Sequence, residues 1–125
     1  MSEKISENLP EGESLIFAGY ANRIGFWGGP GGKLLLTNRR MLFTNRREKK
    51  VLNEYLLSDV LYVSDASSAT IWTAFLLVTL FLKNAIKITL KNQTTQRFVV
   101  SDKQRWISLI DEERRAVKAE EGSKQ

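Results

Sequence analysis

At 125 residues, with 42% hydrophobic and 26% charged side chains, the chain has room for one domain with a substantial core and not for two. Its 19 lysines and arginines against 14 carboxylates leave a net charge of +5, which suits an anionic partner better than a cationic one. Cysteine and histidine are both absent, which excludes disulfides, thiolate nucleophiles, thiolate metal ligands and the usual neutral-pH proton shuttle.

The start of the chain carries Glu3, Glu7 and Glu11 and no apolar run, unlike a secretory signal or a basic transit peptide, so a cytoplasmic protein is expected. Residues 1–12 read as an extension, 13–118 as the domain and 119–125 as a flexible, solvated tail. Short runs rich in Leu, Val, Phe and Tyr recur at 14–23, 33–37, 40–44, 51–57 and 60–64, divided by Gly, Asn, Ser and Asp. That spacing predicts an antiparallel sheet with tight connections, turning at Asn38 and at Ser58-Asp59. Residues 85–91 alternate, with Ile86, Ile88 and Leu90 on one face and Lys87, Thr89 and Lys91 on the other, as a half-buried strand requires. A turn at Asn92-Gln93 and a second alternating run at 95–100, through Phe98 and Val100, make a hairpin.

A helix follows. Ser101 and Gln104 stand at capping-box spacing, and Trp106, Leu109, Ile110 and Val117 recur with helical period. Glu112, Glu113, Arg114, Arg115 and Lys118 take the other face. The fold class implied is mainly β with one C-terminal helix, a small bent sheet or open barrel whose end Trp106 plugs.

The charge is unevenly spread. Residues 1–22 sum to −3, residues 23–50 to +7, residues 51–110 to +2 and residues 111–125 to −1. The basic quarter holds Arg23, Lys33, Arg39, Arg40, Arg46, Arg47, Lys49 and Lys50, at or between predicted strands.

Leu9-Pro10-x-Gly12-Glu13 precedes the first strand, and Gly32-Lys33-Leu34-Leu35-Leu36-Thr37-Asn38-Arg39-Arg40-Met41-Leu42-Phe43 runs through the second and third. Leu57-Ser58-Asp59-Val60 joins the fourth and fifth, and Ile88-Thr89-Leu90 with Phe98, Val99 and Val100 precedes the helix. In this order they resemble the GRAM family, a branch of the pleckstrin-homology-like superfold, over residues 9–110. The resemblance implies a barrel of two near-orthogonal antiparallel sheets capped by a helix, no catalysis of its own, and binding to membrane lipids or to proteins. Two features depart from the family: its members are mostly parts of larger chains, and residues 71–82 are more apolar here than its usual loop and strand.

The glycine-rich stretch Gly28-Gly29-Pro30-Gly31-Gly32-Lys33 is not a phosphate-binding P-loop. That pattern needs Gly at 27 and Ser or Thr at 34, where this chain has Trp27 and Leu34, and a strand rather than a helix is expected next. Phe26 and Trp27 at the tip of this hairpin, with Arg23 and Lys33 on its stems, suit a membrane surface, where rings enter the interface and cations meet headgroups. The alternative is that the two rings fold back over the open end of the sheet.

Arg46, Arg47, Lys49 and Lys50, around Glu48, offer either salt-sensitive attraction to an anionic bilayer or an ordinary solvated turn that protects the sheet. Residues 71–82 hold ten apolar residues in twelve, too few to span a bilayer, which takes about 20. They read as a strand buried on both faces, an exposed strand pairing with a second copy, or an interfacial segment, with Trp72, Phe75 and Phe81 as the contact residues. No carboxylate pair is set for acid and base work. The expected function is therefore a non-catalytic module without metal or cofactor that docks on anionic lipid, peripherally at the membrane, through Arg23, Phe26, Trp27, Lys33, Arg46, Arg47, Lys49 and Lys50. The rival reading is a protein-interaction or homo-oligomerisation module using residues 71–82. The charge also permits nucleic acid, but no element that reads bases accompanies it.

Overall fold

The apolar runs predicted as strands at 14–64 and 85–100 become strands in the computed structural model, which describes residues 4–24, 31–65 and 85–123. The strands are β1 (Leu15–Ile24), β2 (Gly31–Thr37), β3 (Arg40–Thr44), β4 (Val51–Leu56), β5 (Val60–Asp65), β6 (Ala85–Leu90) and β7 (Thr95–Val100), followed by helix α1 (Lys103–Ser123). All pairings are antiparallel and the order across the sheet is β4-β3-β2-β1-β7-β6-β5. β4 and β5 are thus the two edges, yet only the single 3-10 turn Leu57–Asp59 joins them. A flat seven-stranded sheet would be roughly 29 Å across, whereas that link reaches no more than about 14 Å. The sheet must therefore curl until its edges approach, which is the open barrel expected from the sequence.

The inner face of the curl is the core. Leu34, Leu36, Met41, Phe43, Leu57, Val60, Ile86, Ile88 and Phe98 are fully buried there. Helix α1 packs against β5, β6 and the Leu57–Asp59 turn, and inserts Trp106, Ile110 and Val117. The Trp106 indole meets the Phe17 ring at 4.7 Å between centroids and lies over Gly19 of β1.

Three local expectations are revised. The Asp102 carbonyl accepts the amide of Trp106, so α1 starts at Lys103 and its cap is Asp102 rather than Ser101. The helix runs on to Ser123, so residues 119–123 are helical, with Glu120 and Glu121 exposed as a solvated end should be. Thr89, expected on the wet face of its strand, is buried between its cross-strand partners Tyr62 and Thr95.

The motif residues that carry the family resemblance hold the start of the chain. Thr37 donates its hydroxyl hydrogen to Glu13 Oε2 at 2.6 Å and accepts the amides of Arg39 and Arg40. Arg40 bridges Glu13 at 2.9 Å and Glu54 at 2.8 Å, while Asn38 accepts the Ser14 amide and donates to the Gly12 carbonyl. Gly12 turns with φ +86°, a conformation that favours glycine. Burial alone would raise the Glu13 carboxyl, but the hydrogen bonds from Arg40 and Thr37 outweigh it and hold the group below its ordinary value. At the far end of the same strands, the Ile5 amide donates to the Glu48 carbonyl and the Ser6 amide to Glu48 Oε1. The segment from Ile5 to Glu13 is therefore a strap across the outer face of β2 and β3. Between its two anchors lie the cross-strand partners Leu35 and Leu42, fully buried although they point away from the core.

Candidate functional site

Antiparallel pairing brings Arg23, Lys33, Arg46, Arg47, Lys49 and Lys50 to one end of the barrel, whereas Arg39 and Arg40 of the basic quarter stand in the β2–β3 turn at the other. The β3–β4 turn is built by Asn45, whose side-chain oxygen accepts the amides of Lys49 and Lys50 and whose backbone carbonyl accepts that of Glu48. Glu48 sits at φ +57°, and this turns its side chain out of the charge run and into the protein. There it is 1% exposed, with Oε2 2.6 Å from Lys33 Nζ. Burial would raise the Glu48 carboxyl, but Lys33 and Ser6 bind the charged form and hold it below its ordinary value. The one acid of the loop is thus spent internally, and Arg46, Arg47, Lys49 and Lys50 are all exposed.

The two stem cations have other duties. Lys33 pairs across the strands with Tyr20 and sits on the outer face, its ammonium 5.8 Å from the Tyr20 ring centre and neutralised by Glu48. Arg23 shares the inner face with Ala21, the two residues being one alternation apart on β1. Its Nη1 donates to Asn53 Oδ1 at 2.7 Å, and its Nε and the Tyr55 hydroxyl beside it are both buried without a hydrogen-bond partner. Burial pushes the Tyr55 phenol above its ordinary value, with the nearby Arg23 charge acting the other way. Phe26 and Trp27, and likewise Trp72, Phe75 and Phe81, lie outside the described residues.

Glu48 is the residue that sequence reasoning missed. Five consecutive charges give no periodicity from which to tell that the middle one points inward, and only the acid's position among four cations hints at it.

Beside the loop, a cleft of about 650 Å³ opens on the outer wall of the barrel, across β1 and β7. Its lining includes Tyr20, Asn22, Gly32, Arg46, Ser101 and Asp102. The Arg46 guanidinium lies close beside Gly31: a Cβ built there would come within 3.0 Å of Nη2 and 2.8 Å of Asn22 Oδ1. Gly32 is needed for a different reason, since a Cβ would run into the Thr44 carbonyl. Gly31 and Gly32 already belong to β2, so Lys33 is followed by the strand expected from the sequence and not by a helix.

No family model and no curated protein matches the chain. Solved structures do match. A pleckstrin homology domain in solution superposes with a TM-score of 0.63 at 14% identity, covering 83% of this chain and 88% of that one. The Slm1 pleckstrin homology domain, described as binding a ligand, gives 0.55 at 15% identity over 80% and 95%. The DH/PH fragment of PDZRhoGEF, in complex with human RhoA, gives 0.60 at 19% identity, covering 83% of this chain and 29% of the matched one. The chain thus spans less than a third of the DH/PH chains it matches. The fold is that of the pleckstrin homology domain, seven antiparallel strands and one C-terminal helix. Among the described residues no helix is long and apolar enough to cross a membrane.

Proposed function

We propose that the chain is a GRAM-like, non-catalytic binding module that docks peripherally on anionic membrane lipid. The observation that carries this reading is the β3–β4 loop, which presents four cations to water while its single carboxylate is turned inward onto Lys33. Near an anionic bilayer each such cation contributes on the order of 1 kcal/mol, and the sum falls steeply with ionic strength. Phe26 and Trp27 in the neighbouring loop would supply the apolar insertion. Arg23 and Lys33 leave the set of lipid contacts for this reading, because each is engaged within the protein. The pleckstrin homology neighbours, one described as binding a ligand and one in complex with RhoA, are consistent with a binding role.

Sedimentation with vesicles containing phosphatidylserine tests the reading. The protein is expected to pellet at low salt and to be released as salt rises, more readily in Trp27→Ala. Joint replacement of Arg46, Arg47, Lys49 and Lys50 by Gln should abolish pelleting. Equal binding to neutral and anionic vesicles would sink the proposal.

A further inference from the structure

The cleft on the outer wall carries a second, sharper assignment. Its two charged residues are of opposite sign: Arg46 comes from the β3–β4 loop and Asp102 from the start of α1. Neither has an ion pair or side-chain hydrogen bond among the described residues, although the strap and the β2–β3 turn pair their charges closely. Asn22 and Ser101 add an amide and a hydroxyl between them, and the volume is in the range that small ligands occupy. The Arg46 guanidinium, beside Gly31 at the cleft wall, is a rigid fork of donors that suits a phosphate or carboxylate oxyanion.

A bare polyanion does not match this cleft, because Asp102 would repel it. A ligand that matches charge for charge carries one negative oxyanion and one cation. The Tyr20 ring, the aromatic surface in reach, is already faced by the Lys33 ammonium. Asp102 is therefore the group left to hold the ligand's cation, which favours a primary ammonium, a donor of hydrogen bonds, over a quaternary one. We infer that the cleft binds a phosphodiester bearing a primary ammonium, the chemistry of an ethanolamine phospholipid headgroup, with Arg46 on the phosphate and Asp102 on the amine. This deepens the membrane-docking reading by naming a headgroup that the basic loop alone would not select.

Titration of the whole chain with soluble sn-glycero-3-phosphoethanolamine, followed by amide NMR, tests it. Shifts are expected at residues 20–22, 32 and 99–102. Arg46→Gln and Asp102→Asn should each weaken binding about tenfold, the loss of one charge-assisted contact. Asp102→Asn should also raise the affinity for inorganic phosphate, which the wild type should bind poorly. Both positions are exposed and hold no other side chain among the described residues, so the variants should keep the dispersed wild-type spectrum. O-phosphoethanolamine, the monoester that a free metabolite would provide, carries a second negative charge at neutral pH and should bind more weakly than the diester. Tighter binding of the monoester would move the source from lipid to metabolite and overturn the headgroup assignment. Absent shifts at the cleft, an unchanged affinity in Asp102→Asn, or equal binding of inorganic phosphate would overturn the site. The probe needs no membrane, so failure to pellet on vesicles with these shifts intact would count against the docking reading alone.

Discussion

The β2–β3 turn and the β3–β4 turn are both rich in arginine, and they use it in opposite ways. At the first, Arg40 is fixed between Glu13 and Glu54 and shares Glu13 with Thr37. At the second, the acid is taken away by Lys33, and the arginines are left to water. Charge density alone therefore says little about function. What separates a structural cation from an available one is whether a carboxylate from a distant segment reaches it, and here the strap supplies Glu13 to one turn and takes Glu48 from the other.

The sharpest way to test that difference is to remove the paired arginine. Arg40→Gln leaves Glu13, whose side chain is 6% exposed, without its cation. An uncompensated, largely buried carboxylate of this kind costs about 2–3 kcal/mol. Urea unfolding should show the midpoint falling with the slope unchanged, and a change below about 0.5 kcal/mol would mean that the clasp is decorative.

Glu48 is the hinge of the comparison, because it joins the strap to the basic loop. Glu48→Gln keeps the shape and loses the charge, with an expected cost of about 1–2 kcal/mol. Its pH dependence has a definite sign. A carboxyl held below its ordinary value of 4.5 in the folded protein contributes its full stability above that value, and loses it as pH falls through the lower, folded one. The protection of the Ile5 and Ser6 amides, measured against their intrinsic exchange rates, should therefore be lost in wild type only as the pH falls below the ordinary carboxyl value of 4.5. In Glu48→Gln they should exchange quickly at neutral pH already, and slow exchange there would detach the strap from Glu48.

These effects also mark what could be read from the sequence. The alternation of Ile86, Ile88, Phe98 and Val100 is a local pattern of period two, so the hairpin and nearly every strand boundary were legible, as was Trp106 on the inner side of the helix. The destinations of Arg23, Lys33 and Glu48 were not. Each depends on a partner far away in the chain: Asn53 for the first, and a positive φ that aims Glu48 at Lys33 for the other two. The cleft was illegible for the same reason, since Asn22, Arg46 and Asp102 meet only through the register of β1 with β2 and β7.

Arg39 gives a smaller, paired test beside Arg40. It meets Glu120 at 3.3 Å with both side chains about half exposed, at 50% and 46%. A bridge so open to water contributes at most about 0.5 kcal/mol and fades with salt. Arg39→Gln should leave the urea midpoint almost where it was, so a drop like that of Arg40→Gln would show that α1 is docked through its C-terminal end.

Smallest of all should be the stability effect of Arg47→Gln with Lys50→Gln. Among the described residues neither side chain has an ion pair or hydrogen bond to lose, and both stand in a turn whose backbone is fixed by Asn45. Thinning a cluster of like charges relieves repulsion in the folded state, so the melting temperature should hold or rise slightly, with the free energy changing by under about 0.5 kcal/mol. Retention on a cation exchanger should fall at the same time, because the exposed charge is what the matrix feels. A loop that lost stability along with retention would be part of the scaffold, and the contrast with the β2–β3 turn would disappear.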